Sequence, residues 1–203
     1  MYKPNEREYR SLGAFEASED SDVLVIRGTP IVFNSPTVLW VEDEIEYKEV
    51  IDPHALDECD MSDFILNRNH GINDGTVYAR TRNGSLAYEI LPDRMDIKGT
   101  LDNNDERHCN LYRDVQKKLV DKMSFSFVCF PVDQGGYIYD PATHTRTIKR
   151  IKKLYDVSAV DFPAYNDTSI TTARSFFEEE HRKEFKALEQ RRRRQELIIK
   201  TFI

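Results

Sequence analysis

Residues 1–20 are polar and mixed in charge, and they predict an arm or an irregular first strand. From Asp22 the texture changes. Val23-Leu24-Val25-Ile26 and Pro30-Ile31-Val32-Phe33 are short apolar, β-branched runs bounded by Gly28 and by Asn34-Ser35-Pro36, the pattern of strands ended by a turn. Ile45 to Ile51 alternates and predicts another strand. Asp52-Pro53-His54-Ala55-Leu56 predicts a helix start, with Asp52 as N-cap and Pro53 at the first helical position. Phe64-Ile65-Leu66-Asn67 predicts a short buried strand that runs straight into Arg68-Asn69-His70-Gly71. Extended runs follow at 76–82, 86–91 and 95–101, divided by Asn83-Gly84 and Pro92-Asp93. An Asn-Gly pair between such runs is a strong hairpin signal.

Between Asp102 and Val120 the period lengthens. Leu111, Val115 and Leu119 recur every four residues with Tyr112 beside them, which predicts one amphipathic helix. Period two returns at 123–132, and further strands are expected at 145–151 and 154–160. Gln134-Gly135-Gly136 and Asp140-Pro141-Ala142 are turns, and Pro163 breaks the last run. Residues 175–203 carry strong helix formers with only a thin apolar stripe of Phe177, Phe185, Leu188 and Leu197. A single charged helix of that kind has no core of its own and needs a partner to pack on. The expected organisation is an arm at 1–20, one domain at 21–174 and a charged helical tail at 175–203. The expected class is α+β, dominated by antiparallel strands, with one central helix and one C-terminal helix.

Composition narrows the function. Of 203 residues, 39% are hydrophobic, enough for a real core. The net charge of −7 argues against broad nucleic-acid binding, which depends on neutralising phosphates, although Arg191 to Arg194 form a local basic run. The three cysteines, Cys59, Cys109 and Cys129, contain no C-x-x-C pair, which fits a reducing compartment and neither a zinc cluster nor a disulfide framework. The first residues lack the apolar stretch of a secretory signal, and no run approaches the roughly 18 apolar residues of a membrane span. A cytoplasmic protein with no metal or other cofactor is expected.

Candidate chemistry begins with the histidines, the usual general bases near neutral pH. His54 falls at a predicted helix start, His108 and His181 among charged helix positions, and His144 in a turn, all solvated settings. His70 differs, because it ends an apolar strand, where a side chain is held at the rim of a sheet. In Met123-Ser124-Phe125-Ser126-Phe127-Val128 the strand period puts Ser124 and Ser126 on one face and the phenylalanines on the other. Either serine is a candidate nucleophile. Asp156 interrupts the apolar run Leu154-Tyr155-Asp156-Val157-Ser158-Ala159-Val160, and a carboxylate there needs solvent or a partner. Cys129 is a weaker candidate nucleophile for His70, because a regular strand turns it to the phenylalanine face.

Taken together, these stretches resemble the prohead (capsid-maturation) serine proteases of tailed bacteriophages, over roughly residues 20–174. Arg27-Gly28-Thr29-Pro30-Ile31-Val32-Phe33-Asn34-Ser35 is similar to the family's "G-x-A-x-x-F-N-x" opening. Glu49-Val50-Ile51-Asp52-Pro53-His54-Ala55-Leu56 is similar to its "E-x-I-x-P-G-A-F". Asn69-His70-Gly71 followed by Val77-Tyr78-Ala79-Arg80-Thr81 resembles "N-H-(D/N)…G-R-T". Met123-Ser124-Phe125-Ser126-Phe127 resembles "M-S-F-G-F", and residues 154–165 resemble "L-x-(E/D)-V-S-x-V-x-x-P-A-Y".

The resemblance implies His70 as general base, Ser124 as nucleophile and Asp156 as the orienting acid, with Arg80 on the substrate or oxyanion side. It implies a fold shared with herpesvirus assembly proteases, a barrel-like core of mostly antiparallel strands. It also implies an endopeptidase enclosed in the immature capsid in the host cytoplasm. There it would cleave the scaffolding segment from the major capsid protein and then itself, with self-association, no membrane and no specific nucleic acid as partners. Two positions depart from the pattern. Ser126 stands where the family has glycine and is a rival nucleophile on the same face, and His54 stands where it has glycine in "P-G-A-F". A catalytically inactive scaffolding or assembly protein on the same fold is the alternative.

Overall fold

The computed structural model describes residues 6–20, 23–72 and 75–161 and part of 177–194. Up to residue 161 the described residues form twelve strands and one α-helix, besides short 3-10 turns: β1 Glu8–Asp20, β2 Val23–Val32, β3 Thr37–Glu42, β4 Ile45–Ile51, β5 Ile65–Arg68, β6 Ala79–Arg80, β7 Leu86–Ile90, β8 Arg94–Leu101, α1 Glu106–Gln116, β9 Lys122–Cys129, β10 Tyr137–Asp140, β11 Thr145–Ile148 and β12 Ile151–Val160. They form an eight-stranded sheet, β6-β5-β12-β9-β1-β2-β8-β7, and a four-stranded sheet, β10-β11-β4-β3. All pairs are antiparallel except β12 with β5 and β11 with β4. Strands dominate, as the alternating runs predict.

The α+β class holds, but the expected barrel is not confirmed. Among the described residues the ladder does not close, because β6 and β7 are the two edges of the large sheet. The sheet curls far enough to bring β8 onto β5 and β6. A Cβ added to Gly99 would lie 2.9 Å from Leu66 and 3.6 Å from Ala79, so the missing side chain permits that approach.

Local departures from the predicted elements have local causes. Residues 53–58 form successive turns instead of a helix. Asp52 does cap, its carboxylate accepting from the His54 N–H at 2.9 Å, but the Ala55 carbonyl accepts from Ile151 N–H at 2.8 Å and cannot continue a helical ladder. The run at 76–82 keeps only the two residues of β6 before a 3-10 turn at Thr81–Asn83. Helix α1 starts at its Asp105 cap and stops before Lys118, which is left-handed (φ 57°). Leu111, Tyr112 and Val115 are buried, whereas Leu119, past that stop, is exposed. The arm is a continuous strand, β1. Its second half pairs with β2 from Phe15 to Asp20, and its first half pairs with β9 from Glu8 to Ala14.

The described residues between 177 and 194 are helical. Phe177 is buried against the small sheet, its ring 5.0 Å from Trp40, 5.2 Å from Tyr47 and 5.3 Å from Tyr139. His181, Phe185, Leu188 and Leu197 lie outside the described residues. No helix among the described residues is long and apolar enough to cross a membrane.

Four charges are buried between the sheets. Arg146 is fully enclosed and donates to Glu8 at 2.6 and 2.9 Å and to Glu49 at 3.3 Å. Arg10 donates to Glu8 at 2.7 Å and to both carboxylate oxygens of Glu49. Two cations face two anions, so the burial is neutral. Removing one partner strands a buried charge. Arg146→Leu is expected to cost about 3–5 kcal/mol, read from the urea midpoint.

Burial alone would raise the pKa of Glu8, but Arg146 and Arg10 outweigh it and hold the carboxyl at about 2. The folded value lies below the unfolded one. The stabilisation is therefore complete above the ordinary glutamate pKa and lost as pH falls from about 4.5 toward 2. Urea midpoints measured across that window are expected to drop, and Glu8→Gln is expected to flatten part of the slope. Arg10, Arg146, Glu49, Tyr137 and Cys129 are the other titratable groups at this cluster.

Candidate active site

The site lies where β5, β12, β9 and the first half of β1 run side by side. Register places Asn67, Ser158, Ser124 and Ser11 in one row, and Ile65, Asp156, Ser126 and Tyr9 in the next. Period two then sets Ser124, Ser126, Asp156 and Ser158 on one face. Phe125 and Phe127 take the opposite face, stacked at 5.1 Å in the core. Cys129 joins them, and burial pushes its thiol well above the ordinary range, so it supplies no thiolate for His70.

His70 enters from the loop after β5. Asn69, His70 and Gly71 are consecutive left-handed residues, with φ of 47°, 57° and 71°. For the two non-glycines this costs roughly 1–2 kcal/mol each, so the surroundings must enforce it. Ser158 Oγ accepts from the His70 N–H at 2.9 Å, and Asn69 O accepts from Ile72 N–H at 3.1 Å. The Asn69 side chain donates to Asp161 at 2.8 Å and accepts from the Asp161 N–H at 3.1 Å. The loop is thereby tied to β12 and to the residue just beyond it.

The left-handed turn points the imidazole along the serine face. Its Nδ1 is 2.7 Å from Asp156 Oδ1, and its Nε2 is 2.7 Å from Ser124 Oγ. The carboxylate can only accept, so Nδ1 carries a proton and Nε2 is left to accept from the serine. Ser126 is placed differently. Its hydroxyl donates to Asp156 Oδ2 and accepts from Arg7 Nε at 2.9 Å and Nη2 at 2.6 Å. It is bonded to the carboxylate and not to the imidazole. Arg7 Nη2 also donates to Asp156 Oδ2. Of the two β9 serines, only Ser124 is bonded to the imidazole.

Such a chain of serine, imidazole and carboxylate is the arrangement that activates a hydroxyl for acyl transfer. The family model described as caudovirus prohead serine protease matches residues 13–183. The chain belongs to this family. No curated protein and no solved structure was found to match it. Membership makes it a serine protease of phage prohead type, linked to capsid maturation. The family model begins at residue 13, so Arg7, Tyr9 and Arg10 lie outside the match although they touch the site.

The other sequence candidates lie elsewhere. Arg80 gives a two-point ion pair to Asp63, at 2.6 Å on both oxygens, and among the described residues it has no contact with Ser124 or His70. Its expected part on the substrate or oxyanion side has no contact in the catalytic row to support it. His54 is exposed and pairs with Asp57 at 3.0 Å, and His144 sits between Tyr47 and Tyr139 on the small sheet. Ser158 and Arg7 escaped sequence reasoning. The signals for Ser158 were its place two residues from Asp156, which puts both on one strand face, and the serine of the "V-S" in the pattern over 154–165.

Proposed function

We propose that this protease is an endopeptidase that cleaves the major capsid protein and its scaffolding segment, and itself, inside the assembling prohead. Ser124 is the nucleophile, His70 the general base and Asp156 the orienting acid. The observation that carries the reading is the imidazole bonded on one side to Ser124 Oγ and on the other to Asp156 Oδ1, both at 2.7 Å. Ser124 Oγ attacks the scissile carbonyl carbon while His70 Nε2 takes its proton. The tetrahedral adduct collapses to an acyl-enzyme as the imidazolium protonates the leaving amine. Water, deprotonated by the same nitrogen, then releases the acid and restores Ser124. Asp156 accepts from Nδ1 throughout and stabilises the imidazolium.

One observation favours the inactive-scaffold alternative: Ser124 and Asp156 are fully buried. Co-expression with the major capsid protein of the same phage separates the two readings. The expected result is a shortened capsid protein with wild type and with Ser126→Ala, the latter slowed about tenfold by loss of one hydrogen bond to the carboxylate. An unshortened capsid protein beside a folded wild-type chain would support the scaffold.

A further inference from the structure

Ser124, Ser126 and Asp156 have no exposed surface, and the His70 side chain is 1% exposed. A polypeptide cannot reach Ser124 in this state. Three of the contacts that close the site come from one short segment. The Arg7 guanidinium lies on Ser126 and Asp156. The Tyr9 ring meets the imidazole edge-on, with centroids 4.6 Å apart and planes at 67°. The Arg10 carbonyl accepts from the Ser124 hydroxyl at 2.7 Å.

That last contact bears on reactivity. Ser124 has one proton and two acceptors for it, His70 Nε2 and the Arg10 carbonyl. While the proton points to Arg10, the general base has nothing to abstract. The segment is also placed as a peptide substrate would be. From Glu8 to Ala14, β1 pairs with β9, the strand of Ser124, and its ladder with β2 begins only at Phe15. Over Glu8 to Ser11 it therefore has a strand partner on one side alone among the described residues.

Charge makes the segment separable. Glu8 and Arg10 enter the buried cluster as a neutral pair. If they leave, Glu49 and Arg146 remain 3.3 Å apart as another neutral pair. Arg7, with 37% of its side chain exposed, is the outermost contact and the first to be displaced.

We propose that residues 7–10 are a built-in occupant of the substrate groove. The edge of β9 they cover is the binding site for an extended peptide, which replaces them by strand addition and brings its scissile carbonyl to Ser124. The proposal rests on the catalytic reading above. The free chain is thus held in check, and a capsid-protein segment at high local concentration inside a prohead displaces the strap.

The test uses the full-length chain and a fluorophosphonate probe, with adduct formation at Ser124 timed by mass spectrometry. Wild type, Arg7→Ala, Tyr9→Ala and the double variant are compared. Hydrogen exchange of amides 7–11 and of the β9–β12 ladder reports strap and core separately. The expected result is slow labelling of wild type, about tenfold faster labelling in the double variant and intermediate rates in the singles. Faster exchange at 7–11 with an unchanged β9–β12 ladder should accompany it. Equal or slower labelling in every variant with that ladder intact overturns the strap and leaves the catalytic reading standing, because Ser124 still reacts. No adduct on Ser124 in any chain, with amides 7–11 loosened, overturns the catalytic reading and the strap with it. If the double variant loses its ladder protection, the partly exposed Arg7→Ala single decides by the same criteria.

Discussion

Ser124→Ala is expected to lower capsid-protein cleavage by about 10⁶-fold, which in a co-expression assay is complete loss. The size follows from the covalent route, since without Oγ there is no acyl-enzyme and His70 has no hydroxyl to deprotonate. Ser126 does not rescue the variant. Its hydroxyl is bonded to the carboxylate that holds Nδ1, whereas Nε2 faces position 124. The fold should survive, because the mutation removes one hydroxyl and, among the described residues, leaves only the Arg10 carbonyl short of that donor. Far-UV circular dichroism and an unchanged β9–β12 exchange pattern check this.

Asp156→Asn is expected to cost about 10⁴-fold with the geometry preserved. Here the direction follows from named donors. Ser126 and Arg7 both donate to Oδ2, so the amide oxygen of an asparagine must occupy that position. Its NH₂ then faces His70 Nδ1, which becomes an acceptor. The neutral ring is forced to carry its proton on Nε2, and Ser124 loses its base. A rate measured from the processed fraction of capsid protein over time checks the magnitude. Adding both Ser126→Ala and Arg7→Ala to Asp156→Asn removes the two donors that hold the amide and frees it to flip, and that triple variant is expected to recover part of the loss.

Much of the site was legible because strand periodicity is local. Two serines and two phenylalanines at alternating positions imply opposite faces, and 123–128 folds that way. The position of His70 at the end of an apolar strand was equally readable. Its left-handed backbone was not, because of the three only Gly71 takes a positive φ without steric cost, and the hydroxyl that holds the loop comes from Ser158 on another strand. Alternation also says nothing about what covers a face. β9 is buried on both sides from Met123 onward, and the polar segment 7–10 that pairs beside it lays Arg7 and Tyr9 over the serine face. No apolar signal marks that segment, since its affinity for the site lies in a guanidinium, a carbonyl and a buried ion pair. The helix expected after Asp52 failed for a similar reason, its ladder being captured by Ile151 from a distant strand. Barrel closure is set by pairings between edges, which a period-two pattern does not encode.

Ser124, and not its same-face neighbour Ser126, is the activated serine in this mechanism. Both fall in the tryptic peptide that follows Lys122, so fragmentation of that peptide after long exposure of the wild-type chain to a fluorophosphonate tests the assignment directly. The phosphonyl group is expected on Ser124, with Ser126 unmodified and the adduct lost in Asp156→Asn. An adduct on Ser126, or one on Ser124 that forms equally fast in Asp156→Asn, would contradict the assignment.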